Sequence, residues 1–155
     1  MITNNLVMEP PEKVLVITRI FDAPPKLVFK AWKDCANLKK WWGPKDYTTA
    51  SCEVDFRIGG NWRINILSDK GIGHWHKGVY KDITESQKIV FTHEWEYTDK
   101  VGPETTVTVL FEDEQGKTKL TFHQALMIDA ADRDNHIEGW SGCLDHLEEY
   151  LAVKN

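Results

Sequence analysis

Cysteine is scarce in this chain of 155 residues, which contains three of them. Cys35, Cys52 and Cys143 are an odd number, and no two of them have the spacing Cys-x-x-Cys. Disulfide frameworks use even sets of cysteines, whereas redox and zinc motifs use closely spaced pairs. We therefore expect three reduced thiols in a cytoplasmic protein, with Cys143 as a buried and inert one.

Long apolar runs and clusters of basic residues are also missing. No window approaches the roughly eighteen apolar residues of a membrane span, and the first residues lack the pattern of a signal peptide. The chain has 19 Lys and Arg against 24 Asp and Glu, a formal net charge of −5. Because an acidic protein is not attracted to phosphate backbones or anionic lipid, we expect neither nucleic acid nor membrane as a partner.

The motifs of common cofactor and metal sites are absent as well. Neither GxGxxG nor GxxxxGK(S/T) occurs, so Gly59-Gly60 is interpreted as a tight turn and not as a phosphate loop. His74 and His76 lie on one side of a predicted strand, and His123 is a candidate third metal ligand, but no carboxylate completes the set. We therefore expect no cofactor, no metal and no catalytic residue.

Tryptophan, by contrast, is abundant, with seven in the chain. Each indole needs a packed pocket or a cavity wall. Alternation of period two predicts a strand from Lys13 and further strands from Tyr47 to about Leu126. Between them, Pro24-Pro25 suits the first turn of a helix. A second short helix is predicted at Ala36–Trp41.

The C-terminal segment from about residue 130 to 153 has the period of a helix. Asp129 is its predicted N-cap, and its apolar stripe consists of Ile137, Trp140, Leu144, Leu147 and Leu151. Strands joined by short turns form an antiparallel sheet, and the helix has the open face of that sheet on which to bury its stripe.

The predicted fold is therefore α+β. We expect a curved antiparallel sheet of about seven strands wrapped around the long C-terminal helix, with two short helices after the first strand. Residues 1–12 are predicted to be a lead-in, and residues 13–153 are predicted to form a single domain, as the length of the chain favours.

Seven stretches of the sequence carry a resemblance to a known family. They are RIFDAPPKLVFKAWKD, LKKWWGP, VDFRIGGNWRI, GVYKDITESQKIVFT, VTVLFED, GKTKLTFHQ and IEGWSGCLDHLEEYL. In this order they resemble the SRPBCC or Bet v 1-like superfamily, and within it the homologues of the activator of heat shock protein 90 ATPase. The resemblance covers about Val14 to Leu151. It implies a helix-grip (START-like) fold that encloses an apolar cavity.

The candidate wall of that cavity is mainly aromatic. His93 lies among apolar residues, either as a polar group that orients a ligand or as a core histidine with a satisfied hydrogen bond. Trp41-Trp42-Gly43-Pro44 is either a gate at the cavity mouth or a hydrophobic plug. The predicted ligand-binding residues are Trp41, Phe56, Trp62, Ile64, Phe91, His93, Trp95, Val109, Phe111, Phe122, Trp140 and Leu144.

Three functions are open at this point. The preferred one is non-catalytic binding of a small hydrophobic or aromatic molecule. The resemblance also implies a co-chaperone-like stimulator of a heat shock protein ATPase, with a chaperone as partner and a role in stress response. The third is a cyclase- or hydrolase-like enzyme for a hydrophobic substrate, which needs a titratable group such as His93 inside the cavity. We expect a monomer or a homodimer.

Overall fold

The computed structural model describes residues 13–96, 104–126 and 129–154, so the predicted lead-in lies outside the described residues. In chain order its elements are β1 (Val14–Phe21), α1 (Pro25–Lys30), α2 (Cys35–Leu38), β2 (Tyr47–Val54), β3 (Asn61–Ser68), β4 (Gly73–Thr84), β5 (Lys88–Glu96), β6 (Thr105–Glu114), β7 (Lys117–Ala125) and α3 (Ala130–Lys154).

The seven strands form one curved antiparallel sheet in the order β1-β7-β6-β5-β4-β3-β2. The register shifts between Thr49 and Ser51 in β2 and between Tyr80 and Asp82 in β4. Irregularities of this kind bend a strand and increase its twist. The sheet therefore has a concave face, and β1 and β2 are its two edges.

Helix α3 lies against the concave face, as its apolar period predicts. Leu144 and Leu147 have no exposed surface, and the Asp129 side chain caps the helix by accepting a hydrogen bond from the Asp132 N–H at 2.8 Å. Arg19 of β1 pairs with Asp145 of α3 at 2.9 Å. Within the described ranges, no helix combines the length and the apolar character that crossing a membrane requires.

Helices α1 and α2 cover the part of the sheet that α3 does not cover. Helix α1 begins at Pro25, as predicted, and buries Val28 and Phe29. Helix α2 ends at Leu38 and not at Trp41, which corrects the predicted boundary. After Leu38 the chain continues as a turn in which Trp41 and Trp42 are both buried, and Gly43 then adopts a φ of +122°. Packing of the two indoles, and not helix propensity, fixes this boundary.

The expectation of three reduced thiols is wrong for two of the cysteines. Cys35 at the start of α2 and Cys52 in β2 form a disulfide, with their Cα atoms 5.8 Å apart. The two cysteines are 17 positions apart in sequence, so the sequence pattern did not indicate this pairing, because only the folded chain places α2 beside the edge strand. Cys143 is free and buried, as predicted.

Candidate ligand-binding site

A cavity of about 320 Å³ lies between the concave face of the sheet, the loop after α2 and the first half of α3. This volume falls at the lower end of the range of about 300–1,000 Å³ that is typical of small-molecule sites. Asn135 is exposed, so the cavity reaches the surface beside α3. Its lining residues are Trp42, Gly43, Pro44, Ile66, His76, His93, Trp95, Asp132, Asn135, His136, Gly139, Trp140 and Cys143.

Trp42 and His76 form one wall of the cavity. The Trp42 indole Nε1–H donates a hydrogen bond of 2.8 Å to Nε2 of His76, and the two ring planes are nearly parallel, at 19°, with their centroids 5.9 Å apart. Because an indole nitrogen only donates, Nε2 of His76 is the accepting nitrogen and the neutral ring carries its proton on Nδ1. Nδ1 is buried and has no hydrogen-bond partner among the described residues.

Trp140 is fixed by a chain of buried hydrogen bonds that crosses three strands. Its Nε1–H donates to Gln124 of β7 at 2.8 Å, and the amide of Gln124 donates to the Thr105 hydroxyl at 2.7 Å. That hydroxyl donates to the backbone carbonyl of His93 in β5 at 3.0 Å. A fully satisfied buried network holds its members in one arrangement. The orientation of Trp140 is therefore set by the sheet and not by α3 alone.

The two deepest histidines of the site are neutral. Burial lowers the pKa of His76 to about 3, and burial also lowers the pKa of His93 well below its usual value, with His76 as a further cause. Their ring centroids lie 5.3 Å apart, so a proton on one ring would repel a proton on the other. The inner end of the cavity therefore offers uncharged imidazole groups.

His136 lies nearer the surface, on α3. Its ring centroid is 6.4 Å from that of His93, and its Nδ1–H donates to the backbone carbonyl of Asp132 at 2.8 Å. This bond leaves Nε2 as the accepting nitrogen of the neutral ring. The outer end of the cavity is thus more polar than its inner end, since Asp132 and Asn135 also lie there.

The structure separates the predicted ligand-binding residues into two groups. His93, Trp95 and Trp140 line the cavity. Eight others are buried in the core, and Phe56 packs against that core. Those eight are Trp41, Trp62, Ile64, Phe91, Val109, Phe111, Phe122 and Leu144. Which of the twelve contact a ligand stays a prediction.

The three histidines considered as candidate metal ligands, His74, His76 and His123, do not come together. Gln124 points to α3, because it bonds Trp140, and neighbouring residues of a strand point to opposite faces. His123 therefore lies on the other side of the sheet from His76, and it pairs with the exposed Val16. Among the residues that the structure describes, no group of three metal-ligating side chains occurs.

Several lining residues escaped the sequence interpretation. The sequence pattern indicates neither His76 nor His136 as part of a cavity wall, and it pairs His76 with His74 on one side of a strand. A signal for His76 was available, because it lies four residues before the aromatic Tyr80 and therefore on the same side of β4, ahead of the register shift. The loop residues Trp42, Gly43 and Pro44 were noted as a gate or plug, and they do line the cavity.

A seven-stranded antiparallel sheet that wraps a C-terminal helix and leaves a cavity beside it defines a protein of the helix-grip class. The chain matches the family described as Activator of Hsp90 ATPase homolog 1-like protein over residues 22–152, and it belongs to that family. No curated protein matches the chain.

Several solved structures share this architecture. The AHSA1 protein of Silicibacter pomeroyi has a TM-score of 0.82 and 26% identity, and the match covers 92% of this chain and 99% of that one. A protein from Rhizobium leguminosarum has a TM-score of 0.78 and 29% identity, covering 90% of this chain and 94% of that one. A protein from Nitrosomonas europaea has a TM-score of 0.79 and 23% identity, covering 94% and 98%.

Proposed function

We propose that this protein binds a small, uncharged aromatic molecule in the cavity beside α3, without transforming it. The observation that carries the proposal is the composition of the wall, which combines the indoles of Trp42, Trp95 and Trp140 with three imidazoles. Indole faces favour a flat apolar guest, and a few polar groups orient it.

The charge of the ligand follows from the burial of the histidines. His76 and His93 are neutral and their surroundings oppose charge. A charged guest would lose its hydration at the inner end without gaining a counter-ion there. A neutral hydroxyl, amine or carbonyl group, by contrast, finds imidazole nitrogens with which it can share a hydrogen bond.

Titration with prodan, a neutral naphthalene ketone whose emission shifts to the blue in apolar surroundings, tests the proposal. We expect a saturable blue shift with wild-type protein and at least about a ten-fold weaker affinity for Trp95→Ala, which removes one wall of the cavity. Trp75→Ala is the matched control. Trp75 is also partly buried on a neighbouring strand, but it stacks under Arg63 at 3.8 Å, outside the cavity lining.

The proposal fails if wild-type protein gives no saturable shift with prodan or with a panel of other neutral bicyclic aromatics. Equal affinities of the Trp95→Ala and Trp75→Ala variants would place the bound probe elsewhere on the protein.

A second candidate rests on the description of the family, which names the activator of the Hsp90 ATPase. If this second function is correct, the chain binds the chaperone and raises its rate of ATP hydrolysis. An assay with purified Hsp90 tests it, and an unchanged ATPase rate in an excess of the chain would remove it.

An enzymatic role has less support from the site. A general base works best when its pKa lies near the operating pH, whereas burial lowers the pKa of His93 well below its usual value. A cytoplasmic location also stays a proposal, and the Cys35–Cys52 bond removes the argument that the cysteine count gave for it.

A further inference from the structure

The Cys35–Cys52 disulfide closes a segment of chain that carries one wall of the cavity. Trp42, Gly43 and Pro44 line the cavity, and all three lie between the two bonded cysteines in sequence. The bond joins α2, a helix of 4 residues, to β2. β2 is an edge strand that pairs with β3 alone. Few backbone hydrogen bonds therefore join the segment to the rest of the sheet.

Leu38, Trp41 and Trp42 of the segment are buried in the core, and the loop between α2 and β2 is further held by single side-chain hydrogen bonds. Trp42 donates to His76 at 2.8 Å, the Thr49 hydroxyl donates to the Trp42 carbonyl at 2.9 Å, and Nδ1–H of His146 donates to the Gly43 carbonyl at 2.8 Å. Local opening of this loop breaks fewer backbone hydrogen bonds than opening of a central strand, which is paired on both sides. A covalent bond between its two ends restricts that opening.

Both bonded cysteines are only partly buried, which favours contact with a reductant. Cys35 and Cys52 are half-buried, whereas Cys143, which also lines the cavity, is buried. Thiol–disulfide exchange requires access to a sulfur atom. The pair therefore differs from Cys143 in accessibility as well as in oxidation state.

We propose that Cys35–Cys52 is a thiol–disulfide exchange site that controls access to the cavity, with a dithiol as its reaction partner. The statement about access rests on the function proposed above, since it concerns the entry and release of a ligand. In the disulfide form the wall at Trp42–Pro44 is held in place, and in the dithiol form it opens more often.

The exchange proceeds in two steps that balance. A thiolate of the partner dithiol attacks one sulfur of the pair, the Cys35–Cys52 bond breaks, a mixed disulfide forms and the released cysteine thiolate takes up a proton. The second thiol of the partner, as its thiolate, then attacks the mixed disulfide, and the other cysteine leaves and is protonated. Two electrons and two protons pass to the protein, and the partner becomes a disulfide.

The experiment compares wild-type protein oxidised with glutathione disulfide and reduced with dithiothreitol. Thiol titration after denaturation should find one free thiol in the oxidised form, Cys143, and three in the reduced form. Backbone hydrogen exchange without ligand should be faster in residues 36–51 of the reduced form and unchanged in β6 and β7. Release of bound prodan should be about ten-fold faster in the reduced form.

One variant serves as the control. The double variant C35S/C52S should behave as the reduced protein and should not respond to dithiothreitol. Three free thiols in the glutathione-treated protein, or equal hydrogen exchange of residues 36–51 in both forms, would overturn the proposal. So would equal rates of prodan release from the two forms.

Failure of the proposed function is recognised separately. If neither prodan nor any of the other neutral bicyclic aromatics binds to either form, the binding function fails, and hydrogen exchange of residues 36–51 still decides whether the disulfide restrains the cavity wall.

Discussion

At the scale of single residues, the two buried imidazoles make stability depend on pH. Burial lowers the pKa of His76 to about 3 in the folded protein, whereas in the unfolded chain its pKa is about 6.5. As pH falls below 6.5 the unfolded chain therefore binds the proton first, and stability is lost until pH reaches about 3. The loss is about 1.4 kcal/mol per pH unit for this histidine.

Urea unfolding at about pH 7 and pH 5 measures this slope. The variant His76→Gln keeps a hydrogen-bond acceptor for Trp42 and removes the titration, so its slope should be shallower than that of wild type. An identical slope in the two proteins would contradict the assignment of a buried neutral His76.

The hydrogen bond between Trp42 and His76 gives a second prediction at this scale. Trp42→Phe leaves the buried Nε2 of His76 without its donor, which should cost about 1–3 kcal/mol in the free energy of unfolding. Trp75→Phe is the matched control on the outer side of the sheet, where Trp75 contacts Arg63. Its cost should stay below about 1 kcal/mol. Equal losses in urea unfolding would argue against a specific role of the Trp42 donor.

At the scale of elements, the space beside two glycines of α3 shows how closely this helix approaches the cavity wall. A Cβ atom on Gly142 would lie 2.7 Å from the backbone nitrogen of Lys45 and 3.2 Å from Cα of Pro44. A Cβ atom on Gly139 would meet no described atom within 4 Å. Gly142→Ala must therefore push the loop away from the helix, whereas Gly139→Ala has space.

We expect opposite effects of these two substitutions on thermal stability. Gly139→Ala should raise the free energy of unfolding by roughly 0.5–1 kcal/mol, since alanine is the better helix former. Gly142→Ala should lower it despite the same gain in propensity, because overpacking typically costs about 1–3 kcal/mol. Melting temperatures that shift in the same direction would show that the close packing of α3 on the loop is not rigid.

At the scale of the whole molecule, Cys143 reports on global unfolding. Burial raises the pKa of its thiol to about 12, and the thiolate is the reactive form. In the disulfide form of the protein, labelling of Cys143 should therefore require opening of the core around α3. The labelling rate in increasing urea should follow the unfolding curve. Rapid labelling without urea would contradict this expectation.

The order of elements could be predicted from the sequence because its signals are local. Alternation of period two, the prolines at the start of α1 and the N-cap at Asp129 each act over a few residues, and the structure has the expected strands, short helices and long helix. The end of α2 could not be predicted, because it depends on tertiary packing. The chain leaves the helix after Leu38, and both Trp41 and Trp42 pack into the core.

The candidate site was predictable only in part. His93, Trp95 and Trp140 were selected for their apolar strand or helix face, and they do line the cavity. The same reasoning selected Phe111 and Phe122, which lie in the packed core. Alternation indicates which face of a strand a side chain is on, but it does not indicate where neighbouring side chains fail to fill the space.

The sequence by itself determined the fold class, the family resemblance and the apolar stripe of α3, since these depend on periodicity and on short ordered motifs. Only the tertiary structure decided the position of the cavity, the neutral pair His76 and His93, and the bond between Cys35 and Cys52. The physical reason is that a void, a buried charge state and a disulfide each depend on distances between residues far apart in the chain. Those distances are fixed when the sheet, the loop after α2 and α3 pack together.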